Sequence, residues 1–261
     1  MSYSMASSIL RFSSKYMAHS IRKQVIEQFK HVIPQSFGEV GHTKSYTQVF
    51  GSDEPQPHPF QLLSLFRECK LMSFLPWTYY TVCSLGFEKI CQGDTTHDGK
   101  EIRLDADDTR IALLGWKTLC QMTHDIRRLA INSNFCKTGS CSNDTMRLVW
   151  TQRATSTFQS EAMEEWEMFK VLAYPGKPVE KSLYDGYQFT LSHGRPCGCC
   201  TMAWLKEEKK GRAKVWLQLP GIFGLPDWDI ETRGKVVTGI RFLNSALEAD
   251  LVPMYAIFQM D

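Results

Sequence analysis

One stretch of the sequence constrains the fold most strongly, because it combines a capping residue, suitable charges at both helix ends and apolar residues at helical spacing. Asp105 can cap the start of a helix, and Asp107 and Asp108 follow in its first turn. Arg127 and Arg128 would occupy the last turn, so both ends suit the helix macrodipole. The buried face is predicted to consist of Ile111, Leu114, Met122, Ile126 and Leu129. The pattern predicts a long core helix.

Residues 1–37 show two further sets of apolar residues at helical spacing, which predict a helical hairpin that ends near Pro34. The sets are Ile9, Phe12 and Tyr16, then Ile21, Val25 and Phe29. Residues 38–59 are polar and rich in Gly and Pro, and they predict an exposed linker.

An all-α domain is predicted over residues 60–230. Phe60, Leu63 and Phe66 form one helical stripe, and Pro76 can occupy the first turn of the next helix. Further helices are predicted around 146–153, 161–172 and 201–219. The run 214–219 could form a strand, but the preceding Lys and Glu residues favour one continuous helix.

The segment from Val215 to Trp228 carries aromatic residues separated by Pro and Gly. Because this pattern cannot continue a helix, we expect the segment to fold back as an apolar lid over it. Exposed, the same residues would instead form a docking patch.

Charge and hydropathy exclude several classes of protein. The chain has 30 basic and 28 acidic residues, so no strong field favours nucleic acid or an anionic membrane as the main partner. No apolar run approaches the roughly 20 residues needed to span a bilayer. The basic, acid-free first 26 residues would suit a mitochondrial transit peptide, but their continuation into a patterned helix favours a folded segment.

Nine cysteines without a secretory signal predict a reducing compartment, the cytosol or the nucleus. Cys136 and Cys141 form a C-x4-C pair, and Cys197 and Cys200 form a C-x2-C pair. Short spacers let two sulfurs bind one ion, so these four cysteines are a candidate structural Zn²⁺ site. The pairs stand 56 residues apart, so spacing leaves buried packing thiols as an equal alternative.

One other thiol and a histidine bear on the same interpretation. Cys199 or His193 could replace one of the four proposed ligands. The remaining cysteines fall on or beside apolar stripes and are expected in the core: Cys69, Cys83, Cys91 and Cys120.

The sequence lacks the Walker pattern, the dinucleotide fingerprint, the His-Glu-x-x-His helix and the Gly-x-Ser-x-Gly elbow. We therefore expect no enzyme, no catalytic residues and no cofactor beyond zinc. Two alternatives remain open. One is a hydrolase whose His/Asp or Cys/His site is assembled in space. The other is a zinc-dependent nucleic-acid-binding module, for which 206–214 would need one basic face, although Glu207 and Glu208 interrupt it.

Four parts of the chain resemble fungal BTB/POZ domain proteins of the mushroom type, in the helical region that follows the BTB core. They are the helices from Ile9 to Phe29, the Leu-Pro-x-x-x-Tyr helix within 63–80, the capped helix 104–128, and the block from Gly211 to Trp228. That last block is similar to the group's Gly-Arg-x-x-x-Trp-x-x-Leu-Pro-x-x-Phe-Gly-Leu-Pro-x-Trp signature. The strand-rich BTB core has no counterpart before residue 5, and residues 231–261 diverge from the group.

The resemblance implies an irregular, BACK-like multi-helix fold and a non-catalytic adaptor function. Its partner would be a protein, either a cullin-type ubiquitin ligase or a transcriptional regulator. The group also carries cysteine pairs similar to Cys136 with Cys141 and Cys197 with Cys200.

Overall fold

The computed structural model describes residues 1–51, 56–132 and 198–228, and in these residues the fold is all-α, as predicted. The helices are α1 (Tyr3–Lys15), α2 (His19–Lys30), α3 (Tyr46–Phe50), α4 (Pro59–Glu68), α5 (Leu75–Cys83), α6 (Phe87–Gln92), α7 (Ala106–Asn132) and α8 (Gly198–Ile222). Short 3-10 turns span Phe37–Glu39 and Met72–Phe74. Strands β1 (Asp94–Thr95) and β2 (Glu101–Ile102) form a small antiparallel hairpin between α6 and α7.

Helices α1 and α2 pack against each other as the predicted hairpin. Ser2 caps α1 by accepting a hydrogen bond from the Met5 N–H at 3.1 Å. Met17 turns the chain between the helices in the left-handed region, with φ of 55°. Phe29 on α2 is fully buried and meets Phe66 of α4 edge to face, with ring centroids 5.3 Å apart. The hairpin therefore shares one core with the helices that follow it.

The prediction of an exposed linker over residues 38–59 is wrong for α3. Ser45 and Gln48 cap this helix reciprocally, and Phe50 at its end is only 5% exposed. The Phe50 ring lies 5.3 Å from Phe29 and 5.9 Å from Tyr46. Tyr46 and Phe50 are four residues apart, so a single helical turn presents both rings on one side. Helix α3 was not predicted because Gly and Pro residues surround it in the sequence.

Helices α4 and α5 form the centre of the core, and their predicted stripe is confirmed. Phe60, Leu63 and Phe66 are each at most 2% exposed. Proline occupies the first turn of both helices, where its missing N–H costs nothing.

Helix α7 starts as predicted but continues past Arg127 and Arg128 to Asn132, and its predicted face is buried only in part. Ile111 and Met122 pack against the core, whereas the side chains of Ile126 and Leu129 are not described. Asp105 accepts a hydrogen bond from the Asp108 N–H at 2.7 Å, which is the expected cap. Leu114, predicted to be buried, is 55% exposed. The buried positions are the smaller Ala112 and Gly115, together with Leu119. Small side chains occupy these buried positions because they let α7 approach α5 and α8 closely.

The lid predicted for residues 215–228 is confirmed only for 223–228, because residues 215–222 continue α8 against the expectation that Pro and Gly would end the helix. The chain remains helical through Pro220 to Ile222, and then the Trp228 indole N–H donates to the Trp216 carbonyl at 3.0 Å. The two indole rings stack with centroids 5.1 Å apart and planes inclined by 8°. Trp216 and Trp228 are both buried, so the segment completes the core and is not a docking patch.

The contact between α7 and α8 predicts a strong preference for glycine at position 115. A Cβ built on Gly115 would lie 2.1 Å from Cε1 of Phe223, so Gly115→Ala should destabilise the protein by about 1–3 kcal/mol through overpacking. Gly221→Ala is the matched control, because nothing lies within 4 Å of its Cβ position. The control should be neutral or stabilising by up to about 1 kcal/mol. Urea unfolding measures both, and a Gly115→Ala protein as stable as wild type would contradict the contact.

Candidate functional site

The predicted zinc ligands lie almost entirely outside the described residues. Cys136, Cys141 and Cys197 fall in undescribed segments, and Cys200 lies in α8 without a described side chain. His193 is likewise outside. In residues 1–51, 56–132 and 198–228, no group of three or more His, Cys, Asp or Glu side chains is arranged to hold a metal ion. The structural Zn²⁺ site remains a prediction.

The other cysteines divide between core and surface. Cys69 and Cys83 are buried as predicted, and Cys120 is half-buried. The prediction is wrong for Cys91, which is exposed. The Cys83 thiol donates to the Ala112 carbonyl at 3.4 Å, and burial raises the pKa of Cys83. Burial also raises the pKa of Cys69, so both thiols are protonated near neutral pH and are poor nucleophiles.

A histidine–carboxylate pair joins the start of α4 to the β-hairpin. His58 Nε2 lies 3.1 Å from Asp94 Oδ2, and the same oxygen lies 2.9 Å from Lys89 Nζ. Burial alone would raise the pKa of Asp94, but hydrogen bonds from Lys89, His58 and the Thr95 N–H lower it overall. Asp94 is therefore a carboxylate that ties α6, β1 and α4 together.

The second ring nitrogen of His58 determines what this pair can do. His58 Nδ1 accepts a hydrogen bond from the Phe60 N–H at 3.2 Å, and the Gln61 side chain bonds back to the His58 N–H at 3.1 Å. Since Nδ1 is an acceptor, the ring proton lies on Nε2 and is donated to Asp94. Both nitrogens are used, so His58 acts as a helix cap and has no lone pair free for general-base catalysis.

A second cluster forms around Asp108 in the first turn of α7. Asp108 Oδ1 accepts hydrogen bonds from Tyr79 Oη of α5 and from Arg67 Nη1 of α4. Tyr79 is 1% exposed and Asp108 is 4% exposed, whereas 40% of the Arg67 side chain reaches solvent. The cluster cross-links three helices beneath the surface.

The two buried members of this cluster have shifted pKa values. Burial raises the pKa of Asp108, and the hydrogen bond from Tyr79 and the charge of Arg67 oppose this only in part. Burial and the neighbouring Asp108 raise the pKa of Tyr79, which therefore stays protonated. A phenol that donates to a buried carboxylate holds three helices together and offers no free nucleophile.

Large apolar side chains of the hairpin segment face solvent. They form the outer face of the hairpin, defined as Met1, Met5, Phe12, Tyr16, Met17 and Ile21, with exposed fractions of 49, 56, 57, 61, 70 and 47%. The Phe12 and Tyr16 rings touch each other, with centroids 4.5 Å apart. The opposite side of α1 is buried through Ala6, Leu10 and Ser13. Helix α1 thus has one apolar face inside the protein and another outside it.

Basic side chains border the outer face. The first 26 residues carry Arg11, Lys15, Arg22 and Lys23 and no acidic residue. Lys15 Nζ lies 5.6 Å from the centre of the Tyr16 ring, within range of a cation–π contact. Arg11 is paired with Glu68 of α4 at 2.7 Å. Arg22 donates to the Ser14 hydroxyl and the Cys69 carbonyl. Lys15 is therefore the cation that these contacts place beside the outer face.

A shallow groove of about 550 Å³ lies between α6, the residues that follow β2, and α7. Its lining includes Cys91, Arg103 and Arg110, with Ile90 and Leu113 as apolar walls. Neither His58 nor Asp94 borders it, so the histidine–carboxylate pair does not face this groove.

Sequence reasoning missed these features to different degrees. His58 could have been found, because a capping position before Pro59 with Gln61 three residues later is a capping-box pattern. The Arg67–Asp108 pair spans 41 residues and leaves no local signal. Phe12 and Tyr16 belong to an apolar set at helical spacing in the sequence, but spacing alone does not indicate that this side of the helix is exposed.

The raised pKa of Asp108 predicts a pH-dependent effect of Asp108→Asn. The folded protein binds a proton at Asp108 more tightly than the unfolded chain does, whose carboxyl titrates at about 3.9. This site therefore favours folding at low pH and loses that contribution as pH rises through the folded pKa. The asparagine protein has no such loss, so its stability relative to wild type should increase between about pH 4 and pH 7. Urea unfolding at both pH values tests this, and a constant or falling difference would contradict it.

Within the described parts of the chain, no helix is long and apolar enough to cross a membrane. Comparison of the chain with models of protein families, with curated proteins and with solved structures finds no match.

Proposed function

We propose that this chain is a non-catalytic protein-interaction module, an adaptor of the BTB type. The observation that carries the proposal is the outer face of the hairpin, where Phe12 and Tyr16 are more than half exposed although α1 already has a buried face. Contiguous exposed apolar side chains with polar or charged borders are typical of protein-binding surfaces. Aromatic residues and methionine are also enriched at such interfaces.

The reactive groups of the described core support a binding role over a hydrolytic one. Both nitrogens of His58 are engaged, and the thiols of Cys69 and Cys83 have raised pKa values. Asp108 receives two donors and holds helices together. A hydrolase would need a base with a free lone pair beside a nucleophile, and none of these groups provides that arrangement.

The alternative of a nucleic-acid-binding module has weaker support. In 206–214, the side chains of Lys210 and Lys214 are exposed on α8, but Arg212 between them is half-buried and Ala213 is buried. The near balance of charge over the whole chain gives no general attraction to phosphate.

The resemblance to BTB-type proteins gives the proposal its finer detail. A cullin-type ubiquitin ligase or a transcriptional regulator would be the partner, in the cytosol or the nucleus. Zn²⁺ held by Cys136, Cys141, Cys197 and Cys200 would be structural, because four thiolates leave no open coordination position.

The adaptor function predicts that substitutions on the outer face remove partners without unfolding the protein. In Phe12→Ser/Tyr16→Ser, both altered side chains are mostly exposed, so stability should change by less than about 1 kcal/mol. Tagged wild-type and variant chains are expressed in the native cells, and proteins that co-purify are quantified by mass spectrometry. At least one protein should fall by about tenfold with the double variant.

The matched control is Leu114→Ser, because Leu114 is 55% exposed but lies on α7, away from the hairpin. It should retain the partners that the double variant loses. A set of co-purifying proteins that is the same for all three chains would refute the proposed function.

The zinc site predicts that purified protein contains about one Zn²⁺ per chain, measured by plasma mass spectrometry. Cys197→Ser/Cys200→Ser should lose the metal and much of the folding energy that it supplies. Cys91→Ser is the control, since this thiol is exposed and lies outside the proposed ligand set. Zinc-free wild-type protein with unchanged stability would contradict the site.

A further inference from the structure

The spacing of the outer face on α1 indicates what shape of partner fits it. Met5, Ser8, Phe12 and Tyr16 follow one another at intervals of three, four and four residues. Their average interval, about 3.7 residues, is close to the 3.6 residues of a helical turn, so these side chains form a narrow stripe along one side of α1. Met5, Ser8, Phe12 and Tyr16 are all exposed. The row is thus a narrow, mostly apolar stripe that a second helix could cover along the length of α1.

A membrane surface fits this stripe less well. Helices that lie in a lipid interface bury a broad apolar face, whereas this stripe covers only one seam of α1. The Arg11–Glu68 pair stands beside it, with 44% and 54% of the two side chains exposed. Because Glu68 neutralises Arg11, this border offers Lys15 as its unneutralised cation, whereas segments that bind anionic lipids carry clusters of about 4–8 Lys or Arg.

Charge determines the composition of the partner helix. Lys15 and Arg11 are exposed and lie four residues apart, which places them on one border of the stripe. Arg11 is already paired with Glu68, but Lys15 has no carboxylate within salt-bridge distance in the described part of the chain. A second copy of the chain would bring the same positive border against itself, which opposes association.

We propose that the outer face of α1 binds an amphipathic helix of a partner protein, whose apolar stripe is bordered by Glu or Asp. This inference rests on the proposed adaptor function and specifies the partner's chemistry. The apolar row of the partner packs between Met5, Phe12 and Tyr16, and its carboxylates lie opposite Lys15. Charged residues beside a helix seam set the choice of partner, and the apolar seam supplies most of the affinity.

The probe is a fluorescein-labelled peptide about three heptads long, with Leu at the seam positions and Glu at the bordering positions. A matched peptide carries Lys in place of each Glu. Fluorescence anisotropy measures binding of each peptide to the full chain at low and high salt. We expect the Glu peptide to bind about tenfold more tightly at low salt, and this preference to shrink at high salt.

Variants locate the binding site. Phe12→Ser/Tyr16→Ser should weaken the Glu peptide about tenfold, whereas Leu114→Ser should not change it. Lys15→Glu should reduce the preference for the Glu peptide while it leaves folding intact, because Lys15 is exposed. Circular dichroism checks the fold of each variant.

Several results would overturn the inference. Equal affinity for both peptides, or no binding of either, excludes an acidic helix as the partner. Association of the chain with itself that the double variant abolishes assigns the face to a second copy. Binding to vesicles of phosphatidylserine in phosphatidylcholine, lost in the same variant, assigns it to a membrane. If co-purifying partners in the native cells depend on the outer face but neither peptide binds, only the proposed acidic helix is refuted. If no co-purifying partner depends on the outer face either, the adaptor function is refuted as well.

Discussion

The close approach of α7 and α8 at Gly115 is the contact on which the described core depends. The Phe223 ring lies where a Cβ of residue 115 would be, and its other side stacks on Tyr79 of α5 with centroids 5.0 Å apart. Tyr79 in turn donates its hydroxyl to Asp108 at the start of α7. One aromatic ring therefore fixes the separation of two long helices and positions the phenol that satisfies a buried carboxylate.

The hairpin joins this core through a continuous set of aromatic contacts. Tyr3 of α1 meets Phe29 of α2 edge to face at 6.3 Å, and Phe29 meets Phe66 of α4 in the same geometry. Phe66 then lies 5.1 Å from Phe74, immediately before α5. Such contacts add specific geometry to the burial of apolar area, so the orientation of α1 is well defined. A defined orientation is what makes its outward side usable as a binding surface.

Periodicity and capping correctly predicted α1, α2, α4, α5, α7 and α8, but they did not predict α3 or α6, and they misassigned part of the buried face of α7. The cap at Asp105, the proline in the first turn of α5 and the stripe of α4 are local signals, and they match the structure. Ranking faces by side-chain size failed at Leu114, because Ala112 and Gly115 permit a closer helix contact than larger residues would. The contact between Phe223 and Gly115 depends on packing across distant parts of the chain, which no local window contains.

The preference for small side chains at close helix contacts also explains why α1 has a buried side of small residues and an exposed side of large apolar ones. The inner side of α1 uses Ala6, Ser7, Leu10 and Ser13, and both hydroxyls donate to carbonyls of their own helix, at 2.9 Å from Ser7 and 3.1 Å from Ser13. Small, internally satisfied side chains let α1 lie close to its neighbours at little desolvation cost. The larger residues of the outer face are therefore not needed to bury α1, and exposing them to water brings no stability. Their placement in a narrow row beside Lys15 is best explained by contact with another helix, which would bury the apolar side chains and pair the charge.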